Sequence, residues 1–278
     1  MKRKKQKISS LFSMSIALFF MVLFLNLGSV YAATNPYTVI NSQTLLETNT
    51  LDKLTLNYIS RPTVNVSGSE PYTIRDGVTS DSTPKREVEF TNATRGKTLN
   101  SVVTVKFSNC GKLNGKAIDM KLIYSDIVTK GEPPLLYWTA YEKSMASSNE
   151  WWYRNIEHAT VQIYFYYANS NTPITLNRAY LSLFSEDPNE GASSKISSHQ
   201  YLYTKTNMKY AASIASRYVS RTYQNIFYGT GSKIGSTESG TLECVSFQYQ
   251  NTNHIEVELY ALSENGHEKV DVRLSFTI

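Results

Sequence analysis

The chain has 278 residues, and its 28 Lys+Arg against 23 Asp+Glu give a formal charge of +5. Five of the bases and none of the acids lie in residues 1–32. The remainder is therefore formally neutral, which excludes the clustered basic field that nucleic-acid binding requires.

In chain order, Lys2, Arg3, Lys4, Lys5 and Lys7 form a basic head before an apolar run over residues 11–27, and Val30-Tyr31-Ala32 places a small residue at each recognition position. This reads as a secretory signal, residues 1–32, removed after Ala32. A retained anchor is the alternative, although the run is at the short end for a bilayer span. No later stretch is apolar enough to cross a membrane, so no membrane insertion of the processed form is expected.

Residues 33–85 read as an extended leader and a loosely packed N-terminal segment. Within it, residues 54–61 alternate moderately, as an edge strand does, and residues 62–85 are rich in Ser, Thr, Gly, Pro and Asp, as loops are. A β-sandwich domain is expected over residues 86–278. Val103, Val105 and Phe107 share one strand face, and Ile118, Met120, Leu122 and Tyr124 share another. Asn114-Gly115 between them predicts a tight turn, because both residues tolerate positive φ. Residues 128–157 read as a long connection holding Pro133-Pro134 and Trp151-Trp152-Tyr153. A strand follows over residues 159–167, then a turn at residues 169–173 and a short strand over residues 180–184.

Residues 204–219 fit a short helix and a strand equally. Val245, Phe247 and Tyr249 alternate. Residues 255–261 and 270–278 alternate around Asn265-Gly266, which predicts a hairpin with one buried face. With 20 Tyr, 11 Phe and 18% charged residues, the expected fold is all-β, an antiparallel β-sandwich (jelly-roll-like or Ig-like), with one short helix as an option.

The segment over residues 103–127 resembles a module of large Gram-positive surface proteins that reads V-x-Y-x-N-V-G-x-Y-N-G-K-x-I-D-L-K-V. Asn109, Gly111, Asn114, Gly115, Lys116, Ile118, Asp119 and Lys121 match. Cys110 stands for the usual Val and Leu113 for the usual aromatic. The acidic turn at residues 183–190, the aromatic segment at 223–231 and the final strand at 274–278 follow in the same order, so the resemblance covers residues 86–278. It implies the N-terminal β-sandwich module of an adhesin-like protein, which in that family often precedes Cna-B-like repeats. The long basic head and apolar run suit a Gram-positive signal. No LPxTG sorting motif, apolar tail or basic stop closes the sequence. The expectation is a secreted, possible cell-surface protein without covalent wall anchoring, either a single-module relative or a shortened head of a longer protein.

No catalytic residues, metal cofactor or other cofactor are expected. The histidines His158, His199, His254 and His267 show no metal-ligand spacing and read as ordinary surface or turn residues. Export makes a Cys110–Cys244 disulfide possible, with two separate buried thiols as the equal alternative. Glu186, Asp187, Asn189 and Glu190 supply oxygens for a Ca²⁺ loop, against a plain solvated turn at Asp187-Pro188. Carboxylates for glycoside hydrolysis would come from Asp119, Asp126, Glu186 and Asp187. Trp151, Trp152 and Tyr153 form the best ligand-binding feature, suited to stacking on sugar or anchoring a protein interface. The leading expectation is a non-enzymatic extracellular binding module with a protein or glycan ligand. A carbohydrate-binding or carbohydrate-active protein is the alternative, and a β-pore-forming toxin using residues 193–221 is the third.

Overall fold

The computed structural model describes residues 38–39, 54–56, 61–78, 84–139, 148–185, 190–194, 201–204, 208–229, 244–262 and 269–275. Among them the first strands are β1 (Thr38–Val39), β2 (Leu54–Leu56), β3 (Thr63–Ser67), β4 (Tyr72–Val78), β5 (Pro84–Phe90) and β6 (Val102–Leu113). Next come β7 (Lys116–Thr129), β8 (Leu135–Thr139), β9 (Ser148–Arg154), β10 (Ile156–Tyr167), β11 (Leu176–Ser185) and β12 (Glu190–Ser194). The last are β13 (Tyr201–Thr204), β14 (Met208–Ala215), β15 (Thr222–Gly229), β16 (Cys244–Thr252), β17 (Ile255–Ala261) and β18 (Lys269–Ser275). No helix occurs among the described residues.

The β6–β7 hairpin shows how sequence becomes structure here. Asn114 and Gly115 adopt φ of 50° and 81°, the left-handed pair that a two-residue turn between twisted strands demands. The turn sets Leu113 opposite Lys116, and the ladder then pairs Val105 with Leu122 and Val103 with Tyr124. All four of those ladder residues are buried. Between Phe107 and Gly111 the register shifts, with Asn109 at φ 50°. That bulge turns Cys110 into the core out of phase with Val103, Val105 and Phe107, and Leu113 rejoins their face beyond it.

Among the described residues, two sheets of nine strands result. Sheet I runs β1-β13-β16-β11-β18-β9-β8-β5-β4, and sheet II runs β14-β15-β12-β17-β10-β7-β6-β2, with β3 also paired to β6. Among the described pairings β1–β13 is parallel and the others are antiparallel. The inner faces meet in one core, as in a β-sandwich. Trp138 of sheet I donates its indole N–H to the Tyr124 hydroxyl of sheet II at 3.1 Å, with the rings edge-on at 5.6 Å. Phe247 meets Phe227 in the same way at 6.3 Å. The strands described all fall within one compact unit, Pro36–Ile278.

Several expectations are corrected. Residues 255–261 and 269–275 are strands but not a hairpin: β17 pairs with β10 and β12 in sheet II, whereas β18 pairs with β9 and β11 in sheet I. Alternation reports a buried face, and two strands facing each other across a core satisfy it as well as two neighbours do. The long connection over residues 128–157 contains β8 and β9, which pair with each other inside sheet I. The Pro133-Pro134 pair precedes β8 rather than replacing it. Residues 208–215, open to helix or strand, form β14.

The stretch over residues 62–85, read as loop, supplies β3 to sheet II and β4 to sheet I. Both strands are mostly exposed, and their apolar alternation, Val64 and Val66 in β3 and Tyr72, Ile74 and Val78 in β4, is short and set among turn-forming residues, so it is a weak strand signal. The loop between them is held firmly. Gly68 has φ 135°, and a Cβ there would sit 2.5 Å from the Ser101 Cα, so only glycine allows this approach. Beside it the buried Glu70 carboxylate accepts from the Ser101 hydroxyl, the Asn100 amide at 3.0 Å and the Lys97 ammonium at 3.4 Å. Burial alone would raise this carboxyl, but those donors outweigh it and hold it below the ordinary value of 4.5. A group depressed in the folded state adds stability above its unfolded value and loses it as pH falls. Unfolding midpoints measured from pH 7 down to pH 3 should therefore fall less steeply for Glu70→Gln than for the unsubstituted protein.

Candidate functional site

The outer face of sheet II carries the densest set of chemically capable side chains. It is organised by β10. Val161, Ile163 and Phe165 point into the core, so Gln162, Tyr164 and Tyr166 lie on the opposite face. Tyr260, Glu258 and Glu256 of β17 stand beside His158, Thr160 and Gln162 in the ladder. The face divides into a covered half and an open half.

The covered half is built on irregular backbone. The β7–β10 register shifts twice between Ile156 and Thr160, and Asp126 takes φ 51°. These bulges bring Asp126, Glu157 and His158 together near the end of the sheet. On its other side, β15 pairs with β12 at Tyr228 and Phe227. The earlier part of β15 then lays Tyr223 over the His158 ring, stacked at 4.8 Å and 20°.

His158 is fully buried. Its Nδ1 lies 3.0 Å from the Asp126 carbonyl, which can only accept, so Nδ1 carries a proton. Its Nε2 lies 3.2 Å from a Glu258 carboxylate oxygen. Glu258 also accepts from Ser193 at 2.9 Å and from Tyr260 at 2.7 Å. Glu157 is buried and accepts from the Tyr223 hydroxyl at 2.7 Å and from Ser216. Arg221 grips the Asp126 carboxylate with two bonds of 2.7 and 2.9 Å. That bidentate pair holds the guanidinium proton more firmly than usual. Burial first, then the neighbouring Glu258 charge, pushes the Tyr260 phenol far up, and burial with the bond to Glu157 does the same to Tyr223.

The open half has a different character. Tyr164 contacts His254, stacked at 5.1 Å and 16°, and the Lys121 ammonium, 5.0 Å from the ring centre. Lys121 also lies 5.1 Å from the Tyr166 ring centre. The Tyr164 hydroxyl donates to Gln162 at 3.2 Å, and Gln162 donates to Glu256 at 2.6 Å. Lys106 pairs with Asp119 at 3.1 Å, and Asp119 accepts the Asn109 amide at 2.8 Å. The side chains are thus fixed by one another, with hydroxyl, carboxylate and ammonium groups spread over a half-exposed sheet face. Such an arrangement suits recognition by pre-set contacts.

The residues singled out from sequence fare differently. Tyr153 is buried in the core. Trp151 and Trp152 lie in β9, opposite Trp138 and Tyr137 of β8, and their side chains fall outside the described residues. Positions 186, 187 and 189 also lie outside them, and Glu190 begins β12 opposite Ala261. Asp119 and Asp126 sit seven positions apart on β7, roughly 20 Å along a strand, too far to act as paired carboxylates. No group of three or more His, Cys, Asp or Glu able to hold a metal occurs among the described residues.

Cys110 is a free, buried thiol, and the Cys244 side chain lies outside the described residues. Burial, followed by the Asp119 charge, pushes the Cys110 thiol up to about 12. Peptide mapping after treatment with a thiol reagent at pH 8 should find Cys110 unmodified in the folded protein and modified after denaturation.

His158, expected to be an ordinary surface or turn residue, is instead the centre of the buried cluster. The cluster's members come from five separate parts of the chain, and no local motif announces them. The one available signal was a histidine in line with the outward positions of a strongly alternating strand.

No family model matches the chain, and no curated protein matches it. Among solved structures, the N-terminal domain of the Streptococcus gordonii adhesin Sgo0707 is similar, with a TM-score of 0.51 at 11% identity. The alignment covers 81% of this chain and 62% of that one. At this identity the likeness is one of fold. No helix among the described residues is long and apolar enough to cross a membrane.

Proposed function

We propose that this protein is an exported, non-enzymatic binding module of adhesin type that works at the surface of a Gram-positive bacterium. Its contact surface is the open half of the sheet II outer face. The observation that carries this reading is the fixed row His254–Tyr164–Lys121 with Gln162 and Glu256 beside it. The fold likeness to an adhesin N-terminal domain and the signal-like first 32 residues support it.

The ligand is an extracellular protein in preference to a glycan. The Tyr164 ring is already engaged, stacked with His254 and approached by the Lys121 ammonium. What it offers outward is ring edge, hydroxyl and flanking charge, which suits a polar protein surface better than the apolar face of a sugar. Residues 33–278 immobilised and challenged with matrix proteins, glycans and whole cells should bind a protein saturably. Hydrolysis of a polymer in that panel without retention of any component would overturn the reading. A glycan signal abolished by Trp152→Ala would replace it with the carbohydrate-binding alternative.

A further inference from the structure

The open half of the sheet II outer face carries an uneven charge, although the chain beyond residue 32 is formally neutral. Thr63, Lys106, Lys121 and Tyr164 stand in one row across β3, β6, β7 and β10. Lys106 and Lys121 are thus directly opposite each other, and such pairs have Cβ atoms about 5 Å apart. Both point outward, because their chain neighbours Val105, Phe107, Met120 and Leu122 belong to the core. Lys112 precedes the core residue Leu113, so it lies on the same outer face, and it is exposed.

Neutralisation inside the chain stops short of Lys121. Asp119 pairs with Lys106 at 3.1 Å through one oxygen, and its other oxygen accepts the Asn109 amide at 2.8 Å. Glu256 stands two strands from Lys121 and accepts from Gln162 at 2.6 Å. Among the described residues no carboxylate forms an ion pair with Lys121. Its ammonium lies 5.0 and 5.1 Å from the ring centres of Tyr164 and Tyr166. Those rings orient the ammonium but leave its charge in place. The row therefore holds a positioned cation without a counter-charge among the described residues. The Lys106 ammonium stands on one side of it and the Tyr164 hydroxyl on the other.

We propose, on the footing that this face is the contact surface, that the protein partner docks an acidic segment here and sets a carboxylate against Lys121 and Lys106. Lys121 is held in place before the partner arrives, so the contact costs little side-chain ordering. Lys112, further along β6, extends the attraction in the strand direction. The excess of Lys106, Lys112 and Lys121 over Asp119 and Glu256 is a single charge, which suits a short acidic segment and not a polyanion. Charge complementarity of this kind sets partner choice and encounter rate more than raw affinity.

Fluorescence anisotropy on residues 33–278 with two labelled peptides tests this, one of alternating Asp and Ser and one of alternating Asn and Ser. Alternation puts every acidic side chain on one side of an extended peptide. The Asp/Ser peptide should bind with a Kd of about 0.1–1 mM, as a few exposed ion pairs allow. Its binding should weaken at least about threefold between about 50 and 300 mM salt. The Asn/Ser peptide should bind at least about tenfold more weakly. Lys121→Met keeps the stem and removes the charge, and should cost at least about threefold. Lys121→Arg keeps the charge and should bind the Asp/Ser peptide as the unsubstituted protein does. The double variant Lys106→Glu with Lys121→Glu should instead prefer a Lys/Ser peptide, a gain that misfolding cannot produce. Failure to bind the Asp/Ser peptide, equal binding of the Asn/Ser peptide, or indifference to Lys121→Met would each overturn the proposal. The contact surface is tested apart from this: loss of the panel's protein ligand with Tyr164→Ala would leave it standing even then.

Discussion

Replacing His158 with alanine should destabilise the protein by about 3–5 kcal/mol, the range for removing one partner from a buried charged cluster. Three losses combine. Glu258 stays in place with one fewer partner, the Asp126 carbonyl loses its N–H, and the Tyr223 and Tyr260 rings lose the side chain packed against them. In a domain of this size each kcal/mol lowers the midpoint by about 2–4 °C, so thermal unfolding should show a large shift. Arg221→Ala should cost much less, because its ion pair with Asp126 is about one-third exposed and partly screened by solvent. A His158→Ala midpoint as close to the unsubstituted protein as that of Arg221→Ala would show that the cluster does not secure the β14–β15 arm.

Trp138→Ala should cost about 3–5 kcal/mol through the cavity it leaves between the sheets. Trp138 is the largest fully buried side chain among the described residues, and its indole N–H is bonded to Tyr124 across the core. The polar part of that contact separates from the packing part in a double-mutant cycle. Trp138→Phe strands the Tyr124 hydroxyl, which burial keeps protonated, at about 1–3 kcal/mol beyond the packing loss. Tyr124→Phe strands the indole N–H in the same way. The double variant should therefore be less destabilised than the sum of the two, and chemical denaturation of all four proteins measures the difference. Strict additivity would mean that the hydrogen bond contributes nothing to joining the sheets.

The local rules of the fold were legible in the sequence and the pairings were not. Asn114-Gly115 declared its turn because positive φ is a property of the residues themselves. Val161, Ile163 and Phe165 declared a buried face because period two has one physical cause. Partner choice has no such local signature. The chain crosses repeatedly between sheets, so β17 and β18, adjacent in sequence, lie in different layers. The edge strands β3 and β4 were missed because neither face of either is well buried. At the site, the elements β7, β10 and β17 were read correctly, yet His158, Glu258 and Arg221 were not singled out. Bonds such as His158 to Glu258, one hundred residues apart, exist only once the topology is known.

The division of the sheet II outer face into a locked half and an open half leads to one decisive measurement. Equilibrium titration of the protein ligand found by the binding panel would be repeated with Lys121→Glu and with Arg221→Ala. Lys121→Glu removes the cation beside Tyr164 and Tyr166 and reverses its charge. It should weaken binding by at least about tenfold, the effect of truncating a contact worth more than 1 kcal/mol, without moving the unfolding midpoint. Arg221→Ala, at the covered end, should leave affinity unchanged. Equal affinity for the Lys121→Glu variant and the unsubstituted protein would contradict the assignment of this face as the contact surface.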